Sequence, residues 1–322
     1  MRLLAALVLM VVLISGCMES GPGPGKTGGD EAEKSAEELK ALSIQSADDL
    51  SSYRLKSTAI QTTQFDAFRI NVTPECHGMK GRIMQVVWSP SIIKESTDTE
   101  ASVNLSGSQA RSHSSSERIV QQAGGEEESS TGSRELYLVG NSTYVRINEG
   151  NLSHLTSPSS AEAVWSGGRN SHVKILADAI NSSEIEIMGS ERMDGATAYK
   201  VNISAGSSDY EEIYSIATSS ANWLMRYPEL MPFIDRAAIK ETAEIEKVVW
   251  ISQESYLPIK YQKRVSFRMI PEAVGSLDAD TGKMRLFNKS VQMGEVSIDL
   301  ESVDLYYDFN KSIDMSMPAE SL

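Results

Sequence analysis

The chain has 322 residues, with 30 Lys and Arg against 44 Asp and Glu, a formal charge of −14. So acidic a surface repels phosphates, which argues against a nucleic-acid-binding domain. Two Cys and four His are too few for a disulfide-dense or multi-metal scaffold, while 40% hydrophobic residues suffice for a core.

Arg2 precedes an unbroken apolar run from Leu3 to Ile14. As a helix this run spans roughly 18 Å, short of the ~30 Å hydrocarbon core, so residues 1–16 read as a signal peptide rather than a membrane span. Ile14-Ser15-Gly16-Cys17 follows directly. An aliphatic residue, two small residues and Cys resemble the lipobox of prokaryotic lipoproteins. That resemblance implies cleavage before Cys17 and lipidation of its sulfur. Residues 17–30 contain SGPGPGKTGGD, a Gly/Pro-rich segment unable to bury apolar surface and suited to a tether. The expected location is therefore extracytoplasmic, on the outer face of the cytoplasmic membrane, with the membrane itself as one partner.

Asn-x-Ser/Thr occurs at Asn71, Asn104, Asn141, Asn151, Asn181, Asn202, Asn288 and Asn310. With 47 Ser in the chain some of these arise by accident, but together with the lipobox they point to a glycan-bearing, archaeal cell surface. Cys76 is the only other thiol. Its neighbour His77 would project to the opposite face of a strand, so the pair makes no converging site. No HxH, HExxH or CxxC spacing exists, and no metal or cofactor is expected.

From residue 31 the chain reads as one domain to residue 322. Glu31 to Leu50 has helical spacing at Ala32, Ala36, Leu39 and Leu42, with Asp30 as its expected cap. Strands are expected at Ser51–Gln61, Phe65–Thr73, Arg82–Ser89 and from Ile92. Residues 105–134 are polar and carry Glu126-Glu127-Glu128, which suggests weak strands around a mobile tip at 123–133. A hairpin is expected about Gly140-Asn141, then a helix over Ser171–Asn181. Further strands are expected at Glu184–Met188, Ala196–Ile203 and Tyr210–Ala217.

Residues 220–243 hold Trp223, Leu224, Met225, Tyr227, Leu230, Met231, Phe233 and Ile234, punctuated by Pro228 and Pro232. This apolar stretch suggests one or two short helices. In Lys260–Met269 the alternation places Tyr261, Val265, Phe267 and Met269 on one face. Val296, Ile298 and Leu300 fall on even positions but Val303, Leu305, Tyr307 and Phe309 on odd ones, which suggests a β-bulge near Glu301-Ser302. The expected fold is mainly β (α+β): a large curved antiparallel sheet or half-open β-barrel of about 10–12 strands, with a few helices on its concave side.

Gly189-Ser190-Glu191 through Asp194-Gly195, Tyr199 and Val201 resembles the G-x-E-x-x-D-G-x-x-x-Y-x-V hairpin of the LolA/LppX-like lipoprotein-carrier superfamily. Trp250-Ile251-Ser252 through Leu257-Pro258-Ile259-Lys260 is similar to that superfamily's W-I-D-x-x-T-x-L-P-L-K strand–turn–strand. The edges at 50–55 and 308–320 resemble the same family, so the likeness runs in patches from about residue 35 to 320. It implies a half-open barrel around helices, with an apolar concave cavity that holds lipid or lipoprotein acyl chains. Trp223, Leu224, Met225, Leu230, Met231, Phe233 and Trp250 are then the candidate ligand-binding residues. The chain departs from small carriers in its length, its own anchor and the polar 105–134 insertion.

The leading expectation is a non-enzymatic, lipid-anchored surface protein binding a lipid or another apolar ligand. A structural or interaction protein of the envelope, with a filled core and no ligand, is the alternative. A hydrolase is disfavoured, since no GxSxG motif is present.

Overall fold

The computed structural model describes residues 34–72, 84–156, 165, 170–193, 195–225, 230–277 and 284–315. The signal segment, Cys17, the tether, Cys76 and His77 lie outside the described residues.

Helix α1 (Ala36–Asp48) begins at Ser35 rather than at Asp30. Ser35 Oγ accepts from the Glu38 amide at 3.3 Å, and Glu38 Oε2 accepts from the Ser35 amide at 2.9 Å. This reciprocal box satisfies two otherwise orphaned amides. Leu39, Ser43 and Ala47 form its buried stripe.

Eleven strands form one antiparallel sheet. In chain order they are β1 (Ser52–Phe65), β4 (Ser91–Asn104), β5 (Gln109–Gln122), β6 (Glu127–Val139), β7 (Ser142–Ile147), β8 (Ser153–Thr156), β9 (Ile185–Met193), β10 (Ala196–Ile203), β12 (Glu244–Ser252), β13 (Pro258–Met269) and β16 (Val296–Tyr307). Their spatial order is β8-β7-β6-β5-β4-β1-β16-β13-β12-β10-β9, so the sheet stays open with β8 and β9 as edges. β2 (Phe68–Val72) and β3 (Met84–Trp88) pair separately, as do β11 (Leu230–Phe233), β14 (Glu272–Leu277) and β15 (Met284–Gln292). The mainly β class and the single large antiparallel sheet are as the sequence suggested.

Several local expectations differ. Residues 105–134 are mostly strand: β5 and β6 pair along almost their whole length. Only a turn at 123–126 interrupts them, with Gly124 at φ 77°. Tyr210–Ala217 is not a strand but the first half of helix α3 (Ser207–Met225). Tyr210, Ile213, Ala217, Ala221 and Leu224 recur at three- and four-residue intervals and pack into one cluster, a helical stripe. Residues 220–243 therefore hold the end of α3, β11 and a short helix α4 (Arg236–Thr242). Pro232 sits in β11 at a register shift, where its missing amide proton is tolerated.

β16 carries no bulge. Its register with β1 and β13 is continuous from Val296 to Leu305. All even positions face inward, so Ser302, Asp304 and Tyr306 are buried and Leu305 and Tyr307 are exposed. The apolar pattern breaks because the inner face itself turns polar there.

Helices α1 and α2 (His172–Ser182) pack on each other and cover one end of the inner face. There Leu39, Tyr53, Leu55, Val103, Ile180, Val249, Ile251 and Tyr306 form one apolar cluster. At the other end α3 and α4 cover Phe65, Ile93, Val265, Phe267, Val296 and Ile298. Both clusters use the same strands and the same face, on opposite ends. Each fully buried Leu, Ile or Phe contributes about 1.5–3 kcal/mol. The outer face carries exposed ion pairs, such as Arg264–Glu301 at 2.7 Å and Lys56–Glu100 at 3.6 Å.

Candidate ligand cavity

Between the two apolar clusters the inner face is polar. Alternation along β1 brings Ser57 and Gln61 inward, along β4 Thr97 and Thr99, along β13 Lys263, and along β16 Ser302 and Asp304. The pairing continues the belt into β5 and β6, where Thr97 stands opposite Ser116, Thr99 opposite Ser114, and Ser114 opposite Arg134.

One half of the belt is covered by helices. Lys247 and Lys263 are directly opposite on β12 and β13 and both are buried. Asp209, in the first turn of α3, lies 2.7 Å from Lys247 Nζ and 3.5 Å from Lys263 Nζ, and Glu212 is 2.6 Å from Lys263. Burial opposes ionisation of Asp209, but the Gly206 amide and the two ammonium groups outweigh it and hold the carboxyl below its ordinary value.

Under α2 lies a second buried group. Ser57 Oγ donates to Asp304 Oδ1 at 2.6 Å and Tyr306 OH donates to Oδ2 at 3.2 Å. Burial pushes the Asp304 carboxyl above its ordinary value and the His172 imidazole below its own. The Tyr53 hydroxyl accepts from the His172 amide at 2.8 Å, and burial raises its pKa to about 12.

The other half of the belt is open. A cavity of about 690 Å³ lies over β4, β5 and β6, bounded by Leu55 and Ser57 of β1 and by His172. Its floor is hydroxylated: Thr97, Thr99, Ser112, Ser114, Ser116 and Ser130 line it. Thr99 and Ser114 share a hydrogen bond of 2.9 Å. Leu55, Ala101, Leu136 and Ile147 add apolar surface, and Ile147 is exposed. Two arginines face in. Arg118 Nε is 3.2 Å from Glu95, and its guanidinium lies 5.7 Å from the Trp223 ring centre. Arg134 has no such partner among the described residues, and its Nε is shut off from solvent without an acceptor. The open space combines a hydroxylated floor with a lining surface that is mostly apolar, and the helices fill the apolar clusters at either end.

None of the candidate ligand residues lines this cavity. Trp223 is half-buried in an aromatic group, 5.0 Å from Phe65 and 5.2 Å from Trp88 between ring centres. Leu224 is buried in the cluster beneath α3. Met225 ends α3 and Leu230 opens β11; their side chains lie outside the described set. Met231 is half-buried and Phe233 exposed. Trp250 is buried on the opposite face of the sheet, against Ala198 and Val248. Its Nε1 donates to Glu191 at 2.9 Å, and Lys260 Nζ lies 4.1 Å from its ring centre. The structure therefore groups Trp223 with Leu224 and separates both from Trp250.

Among the sequons, Asn151, Asn181 and Asn310 are exposed, and Asn104, Asn141 and Asn202 are half-buried. Asn310 Oδ1 accepts from the Ser51 amide at 2.8 Å. Asn71 lies in β2 and Asn288 in β15, with side chains outside the described set.

Arg118, Arg134, Asp304 and His172 escaped the sequence reading. A signal was present: Ser112, Ser114 and Ser116 recur at period two beside Thr97 and Thr99, one hydroxylated strand face. No helix of the described residues is long and apolar enough to cross a membrane.

No protein-family model matches the chain, and no curated protein sequence matches it. Among solved structures it is similar to the lipoprotein LppX of Mycobacterium tuberculosis, at 11% identity over 86% of this chain and 98% of that one, with a TM-score of 0.34. It is similar to LprF of Mycobacterium bovis at 10% identity, covering 88% of this chain and 97% of that one, with a TM-score of 0.31. A domain from Vibrio parahaemolyticus, described as an outer membrane lipoprotein-sorting protein, follows at 9% identity, 87% and 95% coverage and a TM-score of 0.20.

Proposed function

We propose that the chain is a lipid-anchored, extracytoplasmic binding protein without catalytic activity, which seats the polar part of an amphiphilic ligand in the open half of its inner-face belt. The observation that carries this reading is the 690 Å³ hydroxyl-lined cavity left between two helix-filled apolar ends. A cavity of this size suits a small ligand or a lipid headgroup. Its hydroxyls bond to one another, as Thr99 does to Ser114, which suits recognition better than turnover. The lipobox at Cys17 and the tether to residue 30 support placement at a membrane, where an amphiphile would be presented. Native mass spectrometry of protein extracted from its own membranes in mild detergent tests this: a discrete bound mass is expected, and only the apo mass, with no transfer of labelled lipid, would overturn it.

A second reading, a structural or interaction protein, is favoured by the filling of both apolar ends. Ile213 is 1% exposed in α3 and Leu39 0% in α1.

A further inference from the structure

We infer that the open cavity is an oxyanion site, with Arg134 as the counter-charge for a phosphate or sulfate group. This rests on the binding role just proposed and names the chemistry of the ligand. Arginine stays protonated in proteins, so a guanidinium withdrawn from water must be compensated by acceptors or by an anion. Arg134 is half-buried, and its Nε is solvent-shielded with no acceptor among the described residues.

The acids that could have served it are committed elsewhere. Glu95, the cavity's inward carboxylate, lies 3.2 Å from Arg118. Glu135, next in sequence, projects to the outer face, where Arg146 approaches to 3.1 Å and His113 to 3.8 Å. Asp304 is buried with Ser57 and Tyr306. Glu117 also borders the cavity but is exposed to solvent and makes no ion pair with Arg134.

The surroundings of Arg134 fit an oxyanion. Ser114 is its cross-strand neighbour on β5, and Gly132, two residues away on the same face, leaves the floor low beside it. Ser112 and Ser130 add hydroxyls able to donate to anionic oxygens, while Ser116 Oγ donates to the Gly132 carbonyl at 3.4 Å. A planar guanidinium fork with flanking hydroxyls matches phosphate and sulfate geometry. The net charge of −14 opposes long-range capture of a free anion. Recognition must be short-range, as for a headgroup already held at the membrane.

The test is calorimetric titration of the purified full chain with three probes: dihexanoyl phosphatidylglycerol, the uncharged dihexanoylglycerol, and inorganic phosphate. The wild type is expected to bind the phosphatidylglycerol about tenfold or more tightly than the uncharged probe, as suits a charge-assisted contact. Arg134→Gln should abolish that preference, Arg134→Lys should retain part of it, and thermal melting of the ligand-free variants should not fall. Phosphate competing on its own would identify a soluble anion as the source; competition by the lipid alone would identify a headgroup. Either outcome supports the oxyanion site. Equal binding of the charged and uncharged lipids by the wild type, a comparison that needs no variant, would overturn the oxyanion site while leaving the binding role intact. Unchanged preference in Arg134→Gln would do the same, and failure of all three probes would overturn both.

Discussion

Lys247 and Lys263 stand opposite each other on adjacent strands, both buried, with the Asp209 carboxylate reaching both. Two ammonium groups facing across a ladder repel, so the arrangement depends on the α3 carboxylates. Asp209→Ala should leave both lysines uncompensated and destabilise the protein by about 3–5 kcal/mol, the usual result of breaking a buried charge pair. Replacing all three residues by apolar ones of similar volume should cost far less. Urea unfolding of both variants distinguishes the cases; a loss below about 1 kcal/mol in Asp209→Ala would mean solvent screens the cluster.

The same carboxylate sets an acid limit. Its folded pKa lies below the ordinary 3.8, so the unfolded chain binds its proton more readily. The stabilisation is fully present above about pH 4 and is lost as pH falls through the lower folded value. Acid titration followed by circular dichroism should show Asp209→Asn losing that final steep loss of stability.

Asp304 behaves in the opposite sense. Its folded pKa is raised, so the folded state holds the proton more firmly and stability from this group falls as pH rises above 3.8 towards the folded value. His172, lowered from 6.5, works against this, since stability from it is lost as pH falls below 6.5. Asp304→Asn stays neutral and keeps an acceptor for Ser57. Its stability relative to wild type should therefore improve as pH rises above about 4 and level off once the raised folded value is passed. A difference that is constant with pH, measured by urea midpoints, would place Asp304 in a solvated setting.

The polar belt explains where the sequence was readable. Alternation in 260–269 identified the inward Tyr261, Val265, Phe267 and Met269, because those positions pack into the apolar ends. The same rule failed in 296–309. Ser302 and Asp304 are inward yet polar, and the partners of Asp304, Ser57 and Tyr306, come from β1 and from the same strand, pairings that hydropathy does not display. The Tyr210–Ala217 error had a local cause: Tyr210, Ile213 and Ala217 fit a helical stripe once it is extended to Leu224. Arg134 and the cavity were hidden because polar strands looked like a solvated loop, and only long-range pairing of β4, β5 and β6 stacks their hydroxyls.

Trp223 fills the junction of Phe65, Trp88 and Arg118. Trp223→Ala should cost about 3–5 kcal/mol by opening a cavity, and chemical denaturation measures it. Trp250→Ala, on the other face, should leave ligand binding unchanged, since neither it nor its neighbours Ala198 and Val248 border the cavity.

Membrane attachment is expected to depend on one atom. Cys17→Ser should move the protein from the detergent phase to the aqueous phase in phase partitioning, because the acyl chain on its sulfur is the proposed anchor. Retention in the detergent phase would show attachment by another route.

The most direct measurement compares two cavity positions by titration with dihexanoyl phosphatidylglycerol. Ser114→Phe fills the hydroxylated floor, whereas Leu224→Ala opens space in the apolar end beneath α3. If the ligand seats in the polar belt, Ser114→Phe removes binding and Leu224→Ala preserves it. Binding that survives Ser114→Phe, or that Leu224→Ala strengthens while Ser114→Phe leaves it untouched, would contradict that placement.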